Sequence, residues 1–408
     1  MKKVFTIGLV AVVTALSAAP AVADGVPAAA PTVNDAPSDA PADAADAPSD
    51  APADAPADAP AAEDGPASAE GFGWQPSCRT VNGDGSVTFT RNEGKTIMPT
   101  STSLQPVAYT TGLVALDRPN QLLSLSNNLL SKSNDSGCTW TPVSKVTGSH
   151  VELVAARGNR AYAWDREGTL ALATPEGVTP LTSPADEMVG LGTDRFRGDH
   201  LRVADGDGQL YDSKDGGRTW RRTGAPAWPQ SDLLMVYTAA FDPYDINHVI
   251  LGGSNTGARV THDGGRTWTA PKGLSDRVNV FSAKISPAAP NVVYAMGLNL
   301  KETGTGVPSD GRHIYRSTDG GRRFTPVVVQ GDGITLANGP LLAPHPTDPG
   351  VLYFVFGTGW SGLGTDIYRY DARRNRVTSQ HNSYDRVTSI TFNVMNPQVM
   401  YLGVAEEV

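Results

Sequence analysis

Short apolar runs recur along most of the chain, each bounded by Gly, Pro, Asn or Asp. Val87-Thr-Phe89, Gln209-Leu-Tyr211, Ala258-Arg-Val260, His313-Ile-Tyr315 and Ile367-Tyr368 are examples. Strand-length runs closed by turn residues predict an all-β chain. A longer pattern is laid over them. Phe241–Gly252, Ile285–Gly297, Leu342–Tyr353 and Phe392–Gly403 each read as a strand end, a Pro/Asn/Asp turn and a hydrophobic strand.

A second motif alternates with the first. Ser133-Asn-Asp-Ser-Gly-Cys-Thr-Trp140, Ser213-Lys-Asp-Gly-Gly-Arg-Thr-Trp220, Thr261-His-Asp-Gly-Gly-Arg-Thr-Trp268 and Ser317-Thr-Asp-Gly-Gly-Arg-Arg-Phe324 share the form S/T-x-D-x-G-x-x-W/F. Thr90-Arg-Asn-Glu-Gly-Lys-Thr-Ile97 keeps the frame in degenerate form. The turns near Asp165–Gly168 and Asp371–Asn375 are expected at the same place, without the motif. Asp can accept backbone N–H bonds across such a turn, Gly supplies positive φ, and the closing aromatic packs between sheets. The motif resembles the Asp-box, or BNR repeat, of sialidases, sortilin-type receptors and xyloglucan-cleaving enzymes.

Each unit thus reads strand 1, proline turn, strand 2, variable loop, strand 3, Asp-box turn, strand 4. Counting units predicts a single seven-bladed β-propeller over residues 72–408. The last unit supplies only strands 1 and 2, and residues 86–97 are expected to complete it and close the ring. Cys78 and Cys138 are expected to form one disulfide that fastens the closing blade to the first.

The N-terminus adds a compartment. Lys2 and Lys3, an apolar run to Ala19 and Ala21-Val22-Ala23 predict a secretory signal peptide over residues 1–23. Residues 24–71 are Ala/Pro/Asp-rich. They are expected to be a disordered leader or linker, either trimmed as a propeptide or kept as a stalk. Of 33 basic and 42 acidic residues in the chain, two lysines fall in the signal and eleven acids in the linker, leaving 31 against 31. A neutral body argues against nucleic acid as a partner. No segment approaches a membrane span, and a monomer is expected.

Candidate chemistry is sparse. Asp135, Asp215, Asp263 and Asp319, with Trp140, Trp220, Trp268 and Phe324, read as structural parts of the repeat. The seven histidines form no metal spacing. Asn82–Ser86 and Asp205–Gln209 hint at calcium loops but lack later acidic ligands. No metal and no cofactor is expected. The chain lacks the R-I-P segment of sialidases. A glycosidase with two carboxylates across the ring stays open as the rival reading, with a lectin beside it.

Propellers usually function through the end that bears the loops between strands 2 and 3 and between blades. Trp360, Lys301 and Arg312 are the binding-face candidates there. In layout the chain is similar to a family of secreted Streptomyces propellers, the dispase autolysis-inducing type. That resemblance implies a non-enzymatic protein that acts on a secreted metalloprotease and serves transglutaminase as a glutamine donor. It makes Gln105 the first cross-linking candidate, with Gln230, Gln330 and Gln380 expected in loops between blades and Gln209 in a strand 2–3 loop.

Overall fold

The repeat fixes where hydrogen bonds and apolar side chains must go, and a ring follows. A computed structural model describes residues 75–104, 110–228, 235–274, 277–357 and 362–406. They form a seven-bladed β-propeller of antiparallel sheets. Blades 1 to 6 span residues 110–145, 152–180, 188–223, 236–261, 278–329 and 342–382. Blade 7 combines Arg386–Phe392 and Met400–Ala405 with Val87–Thr90 from the other end of the chain. Register there pairs Val87 with Gly403 and Thr90 with Met400. Blades 4 and 7 each hold three strands, and a single bridge stands for the fourth: Val260 with Thr269, and Thr90 with Ile97.

The core lies between blades. Second strands are buried on both faces, as in Leu122–Ser126, Leu201–Asp205 and Val249–Gly253. This explains their continuous rather than alternating apolar pattern. Tyr162, Tyr294 and Tyr401 are fully buried on such strands. Tyr162 and Tyr294 donate their hydroxyls to Gly198 and Pro349 of the following blades, at 3.2 and 2.7 Å. A buried phenol therefore keeps a partner while its ring packs.

The repeated turn shows why its residue types recur. Ser133 Oγ donates to Asp135 Oδ1 (2.8 Å) and accepts from Gly137 N (2.8 Å). Asp135 then accepts Thr139 N at Oδ1 (2.9 Å) and Thr139 Oγ1 at Oδ2 (2.7 Å). Blades 3 and 4 repeat these bonds around Asp215 and Asp263, and blade 5 keeps the backbone ones around Asp319. The glycine at the fifth position has φ between +84° and +90° in every copy, a region costly for other residues. The closing aromatics join the neighbouring blade. Trp140 packs with Phe89 and Tyr401, Trp220 with Tyr162 and Leu201, Trp268 with the cluster of Leu210 and Trp228, and Phe324 with Val260.

Blade 2 departs from the expected register. Asp165–Gly168 is the turn between strands 2 and 3, because Arg160–Trp164 pairs with Leu170–Thr174. The turn between strands 3 and 4 is the two-residue link Pro175-Glu176. Asp165 misleads because it does similar work, accepting Thr169 N at 2.7 Å.

Cys78 and Cys138 are bonded across a sequence separation of 60, with Cα atoms 5.7 Å apart. The segment after Cys78 lies along the blade 1 turn. Asn82 N donates to Cys138 O, and Trp140 N to Asn82 O, both at 2.8 Å. The described segment from Cys78 to Thr90 is thus tied to blade 1 by the disulfide and to blade 7 by strand pairing.

Candidate functional site

The seven first strands line a central channel that holds a cavity of about 640 Å³. Glu152 of blade 2 and Lys284 of blade 5 both face it and are open to channel solvent. The enclosing channel walls raise the Glu152 carboxyl and the Lys284 charge pulls it partly back, while the solvent that reaches the side chain in the channel limits the rise. Tyr237 and Phe281, with ring centroids 4.7 Å apart, add an aromatic wall. Asp165 also borders the channel but is buried. Its oxygens accept Thr169 N (2.7 Å) and Ser149 N (2.9 Å), which commits it to the turn. The charge that acts on Glu152 is a lysine's, not a second carboxylate's.

The aspartates of the repeated turns are committed as well. Bonds from Thr219, Ser213 and Arg218 N hold Asp215 down to about 2. Asp263 is also at about 2, where the Thr267 and Thr261 bonds outweigh desolvation. Such acids are anions at neutral pH with their lone pairs occupied, so they supply neither a general acid nor a free metal ligand. Asp84 and Asp205, in the two calcium-like segments, likewise accept backbone N–H groups of Ser86 (2.9 Å) and Gln209 (2.8 Å). Among the described residues no three metal-ligating side chains come together.

The long strand 2–3 loop of blade 5 folds around one acid that the sequence did not single out. Glu302 accepts Asn299 Nδ2 (2.6 Å), Ser309 Oγ (2.9 Å) and His313 Nε2 (2.7 Å). Against desolvation, the bonds from His313 and Ser309 keep its carboxyl below the ordinary range. Arg312, a binding-face candidate, is paired with Asp310 at 2.8 Å. Lys301 is exposed on the same loop. Trp360 lies outside the described residues.

The glutamine candidates separate by accessibility. Gln209 does sit between strands 2 and 3, but it is buried. Its amide donates to Leu210 O (3.0 Å) and Thr223 O (2.9 Å), which takes it out of an enzyme's reach. Gln330 is in the expected loop and half-buried, bonded to Ser309 O (3.3 Å) and Leu336 N (3.2 Å). Gln380 is exposed, but on the outer strand Arg376–Asn382 of blade 6 rather than in a loop. Gln105 and Gln230 lie outside the described residues.

Comparison with known proteins adds what geometry does not. No family model matches the chain. The dispase autolysis-inducing protein of Streptomyces mobaraensis is 47% identical over 340 residues, covering 82% of this chain and 90% of that protein. An oligoxyloglucan-reducing end-specific xyloglucanase of Emericella nidulans is 28% identical over 145 residues, only 31% of this chain and 18% of that enzyme. Among solved structures, a xyloglucanase from Xanthomonas campestris superposes with a TM-score of 0.50 at 14% identity, over 76% of this chain and 55% of that one. At that identity it reports the propeller fold alone. Identity near one half over four fifths of this chain and nine tenths of that protein is a different order of likeness, and the chain belongs to the family of the dispase autolysis-inducing protein.

Proposed function

We propose that this protein is an exported, non-enzymatic propeller that binds extracellular proteins and promotes the autolysis of a neutral metalloprotease. The observation that carries the reading is 47% identity, over 82% of this chain, with a relative named for inducing dispase autolysis. The disulfide fits an oxidising compartment. The turn aspartates, saturated with hydrogen bonds, fit a scaffold better than a hydrolase. No helix among the described residues is long and apolar enough to cross a membrane.

The test is direct. Dispase is incubated alone and with the purified protein, and intact dispase is followed on gels. The proposal expects faster loss of dispase with this protein; equal rates would remove it. Transglutaminase labelling with a tagged amine extends the proposal, and peptide mapping should place label on Gln380, Gln105 or Gln230 rather than on Gln209. Label confined to Gln209 would refute that assignment.

One observation favours a second reading. Glu152, whose carboxyl is raised, lines the same channel as the Tyr237–Phe281 aromatic wall, which is the setting a general acid needs. A glycosidase needs a second carboxylate at about 5–10 Å, and the charge acting on Glu152 is a lysine's. Release of reducing sugar from xyloglucan by the wild type, lost in Glu152→Gln, would establish this reading.

A further inference from the structure

The strand 1–2 turns repeat a backbone pattern that delivers one side chain outward at a fixed position. In blade 4, Asp242 N donates to His248 O and His248 N to Asp245 O. Blade 3 does the same with Asp194, His200 and Arg197, and blade 7 with Asn393, Val399 and Asn396. The first residue of each turn also caps the third. Asp242, Asp194 and Asn393 accept the N–H of Tyr244, Phe196 and Met395 at 2.8, 2.8 and 2.9 Å. The third side chain is thereby pushed into solvent. In these three blades it is a large apolar group, with Tyr244 39%, Phe196 58% and Met395 55% exposed; the neighbouring Val394 is 52% exposed.

Three of these groups, Phe196, Tyr244 and Val394, are brought together. The Phe196 and Tyr244 rings are 6.1 Å apart in an edge arrangement. Phe196, Val394, Pro243 and Leu116 line one cavity of about 640 Å³ at this end of the ring. Met235, Val307, Val329 and Leu363 are also exposed, but they are distributed over blades 4, 5 and 6 outside these turns. A contiguous apolar patch marks an interaction surface, whereas scattered residues do not.

Charge says what the patch would meet. The Arg195 guanidinium lies 5.0 Å from the Tyr244 ring centre, and Arg157 reaches Phe196 O at 3.3 Å. Neither has a carboxylate partner among the described residues. The nearby acids are occupied. Asp194 holds Arg197 and His200, Asp117 accepts Gly158 N and Asn159 N, and Asp242 caps its own turn. The cavity lining therefore offers apolar side chains, two arginines without an ion pair and one carboxylate, Asp117, so its charge is net positive. Aromatic side chains beside arginine are the composition of binding hot spots.

We infer that the strand 1–2 end of the ring, centred on Phe196, Tyr244 and Arg195, is a protein-docking surface. Its occupant is a partner-protein segment that presents apolar side chains next to carboxylates. The inference rests on the proposed action on a metalloprotease and moves it to the end opposite the long loops.

The experiment titrates the purified protein against dispase and reads the concentration that gives half-maximal acceleration of autolysis. Phe196→Ser and Arg195→Glu should each raise that concentration about tenfold or more, and Val307→Ser on the other end should leave it within about twofold. Arg195→Glu exchanges one exposed polar side chain for another, so it tests charge even if Phe196→Ser disturbs the turn. Potency unchanged in both variants overturns the surface while leaving the metalloprotease reading intact. No acceleration by the wild type overturns both. Sedimentation of the same proteins covers the remaining occupant. A wild-type dimer that Phe196→Ser dissociates, with potency unchanged, would give the surface to a second copy of the chain and overturn the inference.

Discussion

Blade 4 and blade 7 use one turn frame and are held by different means. In blade 4 the turn is Thr261–Trp268, with a carboxylate at its centre and a tryptophan at its close. In blade 7 it is Thr90–Ile97. Asn92 Oδ1 accepts Thr90 Oγ1 and Thr96 N, both at 2.9 Å, so the geometry survives without the charge. Ile97 replaces the aromatic and is half-buried. Blade 4 is continuous in sequence, so its strands form with short loop closure. Blade 7 joins the two ends of the chain and must offset a large closure entropy. It has the weaker turn but also the disulfide and the Cys78–Asn82 segment laid against blade 1. The closing blade thus concentrates covalent and backbone constraint where local turn chemistry is poorest.

The largest effect should come from cutting that constraint. Replacing Cys78 and Cys138 with serine should cost about 4 kcal/mol, from the loop-closure model for this separation. Chemical denaturation checks it. A loss as small as that from one turn substitution would show that the backbone ladder Val87–Thr90 closes the ring unaided.

Next in size is the aromatic. Trp268→Ala in blade 4 should cost about 3 kcal/mol, since the indole packs between blades 3 and 4 and its Nε1 donates to Ala225 O at 2.9 Å. Ile97→Ala should cost less, about 2 kcal/mol, because the side chain is smaller. Equal losses would mean the aromatic adds nothing beyond its buried methylenes.

Asp263→Ala should cost about 2 kcal/mol, because Thr261 Oγ, Thr267 N and Thr267 Oγ1 lose their acceptor. Asp263→Asn should retain about half of that, as Asn92 does in blade 7. Asp263 titrates at about 2 in the folded protein against about 3.9 unfolded. Its folded value is depressed, so its stabilisation is complete above about pH 4 and is lost as pH falls toward 2. Asp215, also at about 2, behaves in the same direction. Wild-type stability should fall over that window, and Asp263→Asn should fall less steeply. Parallel pH curves would locate the acid sensitivity elsewhere.

How much of this was legible in the sequence depends on where a residue's job is local. The turn bonds lie within five residues, so the motif announced four turns, and Asn92 was found as a variant of them. Ring closure was legible because the unit at residues 392–403 lacked two strands. Blade 2 was misread because Asp165 at a strand 2–3 turn and Asp135 at a strand 3–4 turn solve the same local problem, accepting an N–H four residues on, at 2.7 and 2.9 Å. Accessibility was not legible at all. Gln209 and Gln380 are one residue type, and only packing against Leu210 and Thr223 makes the first unavailable. The patch around Phe196 escaped for a related reason. Arg195-Phe196-Arg197 is visible in the chain, but its meeting with Tyr244 and Val394 needs three blades placed around the ring.

The smallest expected effect sharpens the comparison most. Asn92→Asp would give blade 7 the carboxylate that blade 4 already has. The acceptor bonds from Thr90 Oγ1 and Thr96 N would become charge-assisted, which raises their strength. Glu93 next door would oppose the new charge, so the net gain should be about 0.5 kcal/mol at neutral pH. The gain should be complete above about pH 4 and shrink as pH falls below it, as the new carboxyl protonates. With the disulfide reduced, the same substitution should matter by the same amount if turn and disulfide act independently. A larger gain in the reduced protein would mean that the disulfide and the fifth turn hold one cooperative unit, and that the closing blade opens as a whole.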